Sequence, residues 1–120
     1  MIDIGVDIVA ISRIASYVEK FGEKGLLKFL LPSEIGIANK IETIAGFWAA
    51  KEACAKALRC GIGKELSFKD MQISKDNANA PFLILSKEKQ EYFQISSLSL
   101  SITHDGGFAI AVVVSCRKSS

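Results

Sequence analysis

The stretch from Ile41 to Arg59 constrains the fold of this chain more than any other. It holds six alanines, and alanine is the best helix former. Ile44, Phe47, Cys54 and Leu58 recur there at helical spacing, which predicts one long helix with an apolar stripe. Gly61 and Gly63 follow as its stop signal. The charges inside this helix are less ordinary. Glu52 and Lys56 are four apart and share a face with the small Ala45 and Ala49. Such a pair is a surface contact worth about 0.2–0.5 kcal/mol, or a face left open for something to approach. Lys51 falls by helical angle between Phe47, Cys54 and Leu58. Either its stem snorkels or its ammonium reaches a bound anion. Trp48, four residues before Glu52, fits core packing.

The segments around this helix read mainly as strands. Ile2, Ile4, Val6 and Ile8 alternate with Asp3, Gly5, Asp7 and Val9, a period-2 pattern. Ser12 is placed to cap a following helix over about 13–21, and Gly22 and Gly25 loosen its end. A second short helix starts near Ser33, after Pro32. Leu66–Ser74 and Phe82–Ser86 read as strands around a polar turn, 86–94 as a short helix, and Leu98–His104 and Phe108–Ser115 as a hairpin about Asp105-Gly106-Gly107. A strand, then helices, then mostly strands is an α+β order. The expected fold is an antiparallel sheet packed against the long central helix and shorter helices, in one domain spanning 1–120.

Composition removes several classes of function. The 120 residues (13.0 kDa) suffice for one hydrophobic core. The net charge is +2, and it is even along the chain: eight basic and seven acidic residues precede position 61, seven and six follow. No basic face for nucleic acid is written there. The longest apolar run is Phe108–Val114, seven residues, against the roughly 20 a membrane helix needs. The N-terminus lacks the basic n-region of a secretory signal. Cys54, Cys60 and Cys116 with a single His fit reduced thiols in a cytoplasmic protein rather than a disulfide framework or a zinc site.

Several residues remain that packing alone does not explain. Asp7 sits within a very apolar strand: either it lies on the solvated face of an edge strand, or it needs a cation, a metal or several N–H donors. His104, the only imidazole, ends a strand beside a turn. Gly61 and Gly63 let a backbone approach a ligand closely. Arg13, Tyr17, Lys20, Phe21 and Lys24 fall at i, i+4, i+7, i+8 and i+11. Their stripe of three cations and two aromatics is a solvated face or a docking surface for an acidic helix.

The G-V-D of Gly5-Val6-Asp7, the W-x-x-K-E-x-x-x-K of Trp48, Lys51, Glu52 and Lys56, and the S-I-T-H ending at His104 together resemble the bacterial holo-acyl-carrier-protein synthases. These are short 4′-phosphopantetheinyl transferases, and the resemblance runs from Ile4 to about Val114. It implies transfer of the 4′-phosphopantetheine arm of coenzyme A to a serine of apo-acyl carrier protein, with release of adenosine 3′,5′-bisphosphate, a step that serves fatty acid biosynthesis. It further implies Mg²⁺, a homotrimer and active sites between subunits. The family's metal-binding Asp and Glu map onto Asp7 and Glu52, its helix Lys onto Lys56, and its acceptor-docking cation onto Arg13. The rest of the cationic stripe would meet the acidic carrier, while Lys51, Gly61, Gly63 and His104 would contact coenzyme A. The base that takes the serine proton stays open among a metal-bound water, Glu52 and Glu34.

The chain departs from the family pattern in three places. Short members commonly carry Arg where Phe47 stands, the stretch before the central helix has only Lys40 where Lys and Arg are usual, and Asp105 follows His104 directly. The competing expectations are a Mg²⁺-dependent phosphoesterase that needs no carrier, and a small trimeric ligand-binding module with Asp7 and Glu52 in structural ion pairs.

Overall fold

A computed structural model describes residues 1–119. β1 (Ile2–Ala10) leads without a linker into α1 (Ile11–Leu26). Ser12 therefore lies within the first turn and does not cap it. Ala10 stands at the cap position, and the Ile11 amide finds its acceptor in the Gly107 carbonyl at 2.9 Å. α1 is also longer than expected and is kinked at Gly22 (φ 60°, ψ −148°), a backbone conformation that glycine tolerates best. α2 (Pro32–Ile37) follows, with Pro32 in its first turn.

α3 (Ile41–Ala57) is the predicted long helix. Ile44, Phe47, Cys54 and Leu58 are all buried, as are Ala45, Ala49, Ala50, Ala53, Ala55 and Ala57. Burial on this many sides needs alanines, because they let neighbouring backbone come close. The helix end is not made by its glycines. Arg59 takes the left-handed conformation (φ 63°), and the Cys60 amide donates back to the Ala55 carbonyl at 3.0 Å. Gly61 and Gly63 lie beyond, exposed, with open space where a Cβ would be.

A 3-10 turn over Phe68–Asp70 precedes β2 (Met71–Lys75), which pairs antiparallel with β3 (Pro81–Leu85). α4 (Lys87–Tyr92) is capped by the Ser86 hydroxyl. β4 (Ile95–Asp105) and β5 (Phe108–Arg117) form the expected hairpin, somewhat longer than predicted. The main sheet has the order β1-β5-β4, all antiparallel. One face packs on α3 through Gly5, Val9, Ala109, Ala111, Val113 and Ser115, all buried. The opposite face shows Ile2, Ile4, Val6 and Ile8 to solvent, 71, 68, 55 and 58% exposed. The aspartate side of β1 thus faces the helix, and its isoleucine side faces out.

Candidate active site

Glycine at position 5 sets the site. A Cβ there would collide with the Ala53 carbonyl oxygen and press on the Ala57 amide. β1 therefore lies directly on the α3 backbone. Asp7 is two residues on and faces the same way, so it arrives beside Lys56 and Glu52. Lys56 Nζ donates to Asp7 Oδ1 at 3.0 Å and to the Val6 carbonyl at 3.1 Å. Glu52 is half-buried; burial and then the Asp7 charge push its pKa up, while Lys56 and Arg13 pull it down. Arg13 reaches this cluster from the first turn of α1, with its guanidinium 5.8 Å from the Trp48 ring centre.

Among the described residues, no three His, Cys, Asp or Glu side chains gather to hold a metal by themselves. The Asp7 charge nevertheless acts on Glu52 and raises its pKa, a repulsion that a divalent cation relieves. Mg²⁺ usually takes one or two carboxylates and fills its sphere with water and substrate phosphates. Asp7 and Glu52 fit that donor set.

Two expected residues lie elsewhere. Lys51 is fully buried and does not reach a bound anion: its ammonium donates to Glu34 Oε1 at 2.7 Å and to the Phe29 and Phe68 carbonyls at 2.8 and 3.2 Å. Burial lowers its pKa, and the bond to Glu34 acts against that. Glu34 is equally sealed, accepting also from the Leu31 and Ile73 amides. It is thereby removed as a base for an incoming serine.

His104 is exposed on β4, on the side of the strand that carries Leu98, Leu100 and Ile102. It lines a cavity of about 130 Å³ with Phe47, Thr43, Lys75, Asn79 and Pro81. Lys75 and Asn79 escaped the sequence reading because they come from the end of β2 and the turn after it, and only tertiary folding brings that hairpin end to His104. Gly61 and Gly63 lie past the other end of α3. From Thr43 to Leu58 the helix rises about 22 Å at ~1.5 Å per residue, so one chain does not bring these glycines to His104.

The stripe on α1 is only partly a surface. Arg13, Lys20, Phe21 and Lys24 are exposed. Tyr17 instead turns inward, donates to the Gly25 carbonyl at 2.9 Å and packs edge-on to Phe29. Lys24 lies beyond the Gly22 kink, so the regular helical spacing stops at Phe21.

Residues 3–113 match the model of the 4′-phosphopantetheinyl transferase superfamily. The chain belongs to that superfamily. Within it, the chain is 62% identical over 112 residues to a holo-[acyl-carrier-protein] synthase of Helicobacter pylori strain P12, covering 92% of this chain and 95% of that one. It is 58% identical over 110 residues to the synthase of Wolinella succinogenes, covering 92% and 93%. The crystal structure of a Helicobacter pylori holo-[acyl-carrier-protein] synthase in complex with coenzyme A superposes with a TM-score of 0.92 at 60% identity, over 94% of this chain and 99% of that one. The Neisseria meningitidis synthase gives 0.88 at 34% identity, over 98% and 100%.

Proposed function

We propose that the chain transfers 4′-phosphopantetheine from coenzyme A to a serine of apo-acyl carrier protein with Mg²⁺, through Asp7, Glu52 and Lys56. The observation that carries this reading is the meeting of those three charges on one partly open edge of α3. Asp7 and Glu52 hold Mg²⁺, which when bound neutralises charge on the pyrophosphate and orients the reacting phosphoryl group. Lys56, 55% exposed at its side chain, exchanges Asp7 for a phosphate oxygen and stabilises the bisphosphate leaving group. With Glu34 sealed in the core, Glu52 is the chain's own carboxylate candidate for accepting the serine proton, beside a metal-bound water. Arg13, Lys20, Phe21 and Lys24 form the docking face for an acidic carrier protein.

The donor site is completed between subunits. His104, with Lys75 beside it, takes a phosphate at one end of α3, and Gly61 and Gly63 approach the donor at the other. Their separation within one chain supports a homotrimer, as does the exposed row Ile2, Ile4, Val6 and Ile8, an apolar face too large to leave in water. Among the described residues the buried apolar side chains form one cluster, which supports one transferase domain. Free Cys54, Cys60 and Cys116 accord with a cytoplasmic setting.

Intact-protein mass spectrometry tests the reading. Apo-acyl carrier protein and coenzyme A are incubated with the chain, in Mg²⁺ or in EDTA. The expected result is a gain on the carrier of one phosphopantetheine group, in Mg²⁺ only. A folded chain that gives no gain with several carriers overturns the transferase reading. Cleavage of coenzyme A without a carrier identifies a phosphoesterase instead.

A further inference from the structure

Trp48 is the only tryptophan in the chain, and the chemistry above does not use it. It is half-buried in α3, one turn before Glu52. Two neighbours fix its indole: Phe29 lies edge-on at 5.1 Å and Phe68 is tilted at 5.1 Å. Phe29 is itself 1% exposed, so this side of the indole is anchored in the core. The guanidinium of Arg13 lies over the same ring, 5.8 Å from its centre, within cation–π range. Among the described residues Arg13 forms no ion pair. Its charge is felt at Glu52 but is bound in no ion pair, on a side chain held by an aromatic face.

We propose that Trp48 is a positioning residue for carrier docking: its indole, immobilised by Phe29 and Phe68, holds the Arg13 guanidinium in the orientation that an acidic carrier protein meets. The inference rests on the reading above that Arg13 docks the carrier. A free arginine side chain loses rotamer entropy when a partner immobilises it. One already seated on a rigid ring loses less, and its charge stays available because the ring neutralises none of it.

Steady-state kinetics of Trp48→Leu, Trp48→Phe, Arg13→Ala and the double variant Arg13→Ala/Trp48→Leu test this. Trp48→Leu should raise KM for apo-carrier roughly three- to five-fold, with kcat and KM for coenzyme A unchanged. Trp48→Phe keeps a ring and should recover most of the loss. The double variant should be no worse than Arg13→Ala, because the ring acts through Arg13. In the otherwise unaltered chain, Arg13→Ala should change the emission of the single indole. A carrier KM raised by Arg13→Ala but not by Trp48→Leu overturns the positioning role, as does a full Trp48→Leu effect on top of Arg13→Ala. A carrier KM untouched by Arg13→Ala overturns the docking reading itself. Should Trp48→Leu fail to fold, the emission comparison and Trp48→Phe decide: unchanged emission in Arg13→Ala rejects the contact.

Discussion

Lys51 and Lys56 stand five residues apart on α3, and each holds one carboxylate, Glu34 at 2.7 Å and Asp7 at 3.0 Å. Their surroundings differ. Neither side chain of the first pair is exposed, and every bond is made inside the chain: Lys51 to the Phe29 and Phe68 carbonyls, Glu34 to the Leu31 and Ile73 amides. In the second pair the side chains of Lys56 and Asp7 are 55 and 16% exposed, and a third charge, Glu52, stands beside them. A buried pair survives its desolvation only when its remaining bonding capacity is satisfied, so Lys51 and Glu34 have nothing to offer a ligand. An open pair is worth about 0–1 kcal/mol, so Lys56 can leave Asp7 at little cost. One contact joins α3 to α2 and β2; the other is available for chemistry.

The largest expected effects separate the two. Asp7→Ala or Glu52→Ala should lower kcat/KM for transfer by about 10³-fold or more, the several kcal/mol that a lost metal ion represents. The thermal transition should stay cooperative. Full activity in both variants would end the metal assignment. Lys51→Met should do the reverse, acting on stability first. Leaving Glu34 buried without its cation should cost about 3–5 kcal/mol in urea unfolding. Adding Glu34→Leu should return part of that, because an apolar pair replaces an orphaned charge. A loss under about 1 kcal/mol for Lys51→Met would mean that water reaches Glu34 after all.

The same contrast shows what a sequence discloses. The alanine-rich helix was legible to within two residues, from Ile41 to Ala57 against an expected end at Arg59, because its signal is local. The odd angular position of Lys51 was legible too. Its partner was not, since Glu34 lies seventeen residues away and no local pattern announces such a pairing. On β1 the alternation defined two faces but not which of them meets the core. Hydrophobicity favours the Ile2-Ile4-Val6-Ile8 side. The close approach of Ala53 and Ala57 at Gly5 selects the other, and a glycine in mid-strand was the available clue. The motif resemblance groups Asp7, Glu52 and Lys56 although they lie up to 49 residues apart. Lys75 and Asn79 of the His104 cavity had no motif to mark them.

Lys56→Ala should fall between the extremes on activity and have little effect on stability. Losing one cation aimed at developing phosphate charge should reduce kcat/KM about 10²-fold. With its side chain more than half exposed, its removal should move the urea midpoint by less than about 1 kcal/mol equivalent. A stability loss like that of Lys51→Met would show that the two lysines share one structural role.

The smallest effect gives the sharpest test, because its sign opposes ordinary expectation. Burial and the Asp7 charge raise the Glu52 pKa in the folded chain, so the folded state holds that proton more tightly than the unfolded state does. Below the unfolded value both states are protonated and nothing is lost. As pH rises through the folded value, the ionised carboxylate is penalised only in the folded state, and stability declines. Glu52→Gln removes that penalty. In EDTA at neutral pH its Tm should therefore exceed that of the parent, by roughly 2 °C, less than 1 kcal/mol gives in a chain of this size. Part of the repulsion is screened by water, since Glu52 is only half-buried. The gain should vanish near the ordinary glutamate pKa of about 4.3. Mg²⁺ relieves the same repulsion by binding, so it should raise the Tm of the parent and leave Glu52→Gln nearly unmoved. A lower Tm for Glu52→Gln in EDTA at neutral pH would show that Glu52 is held by favourable contacts, as Glu34 is, and would dissolve the distinction between the sealed and the open pair.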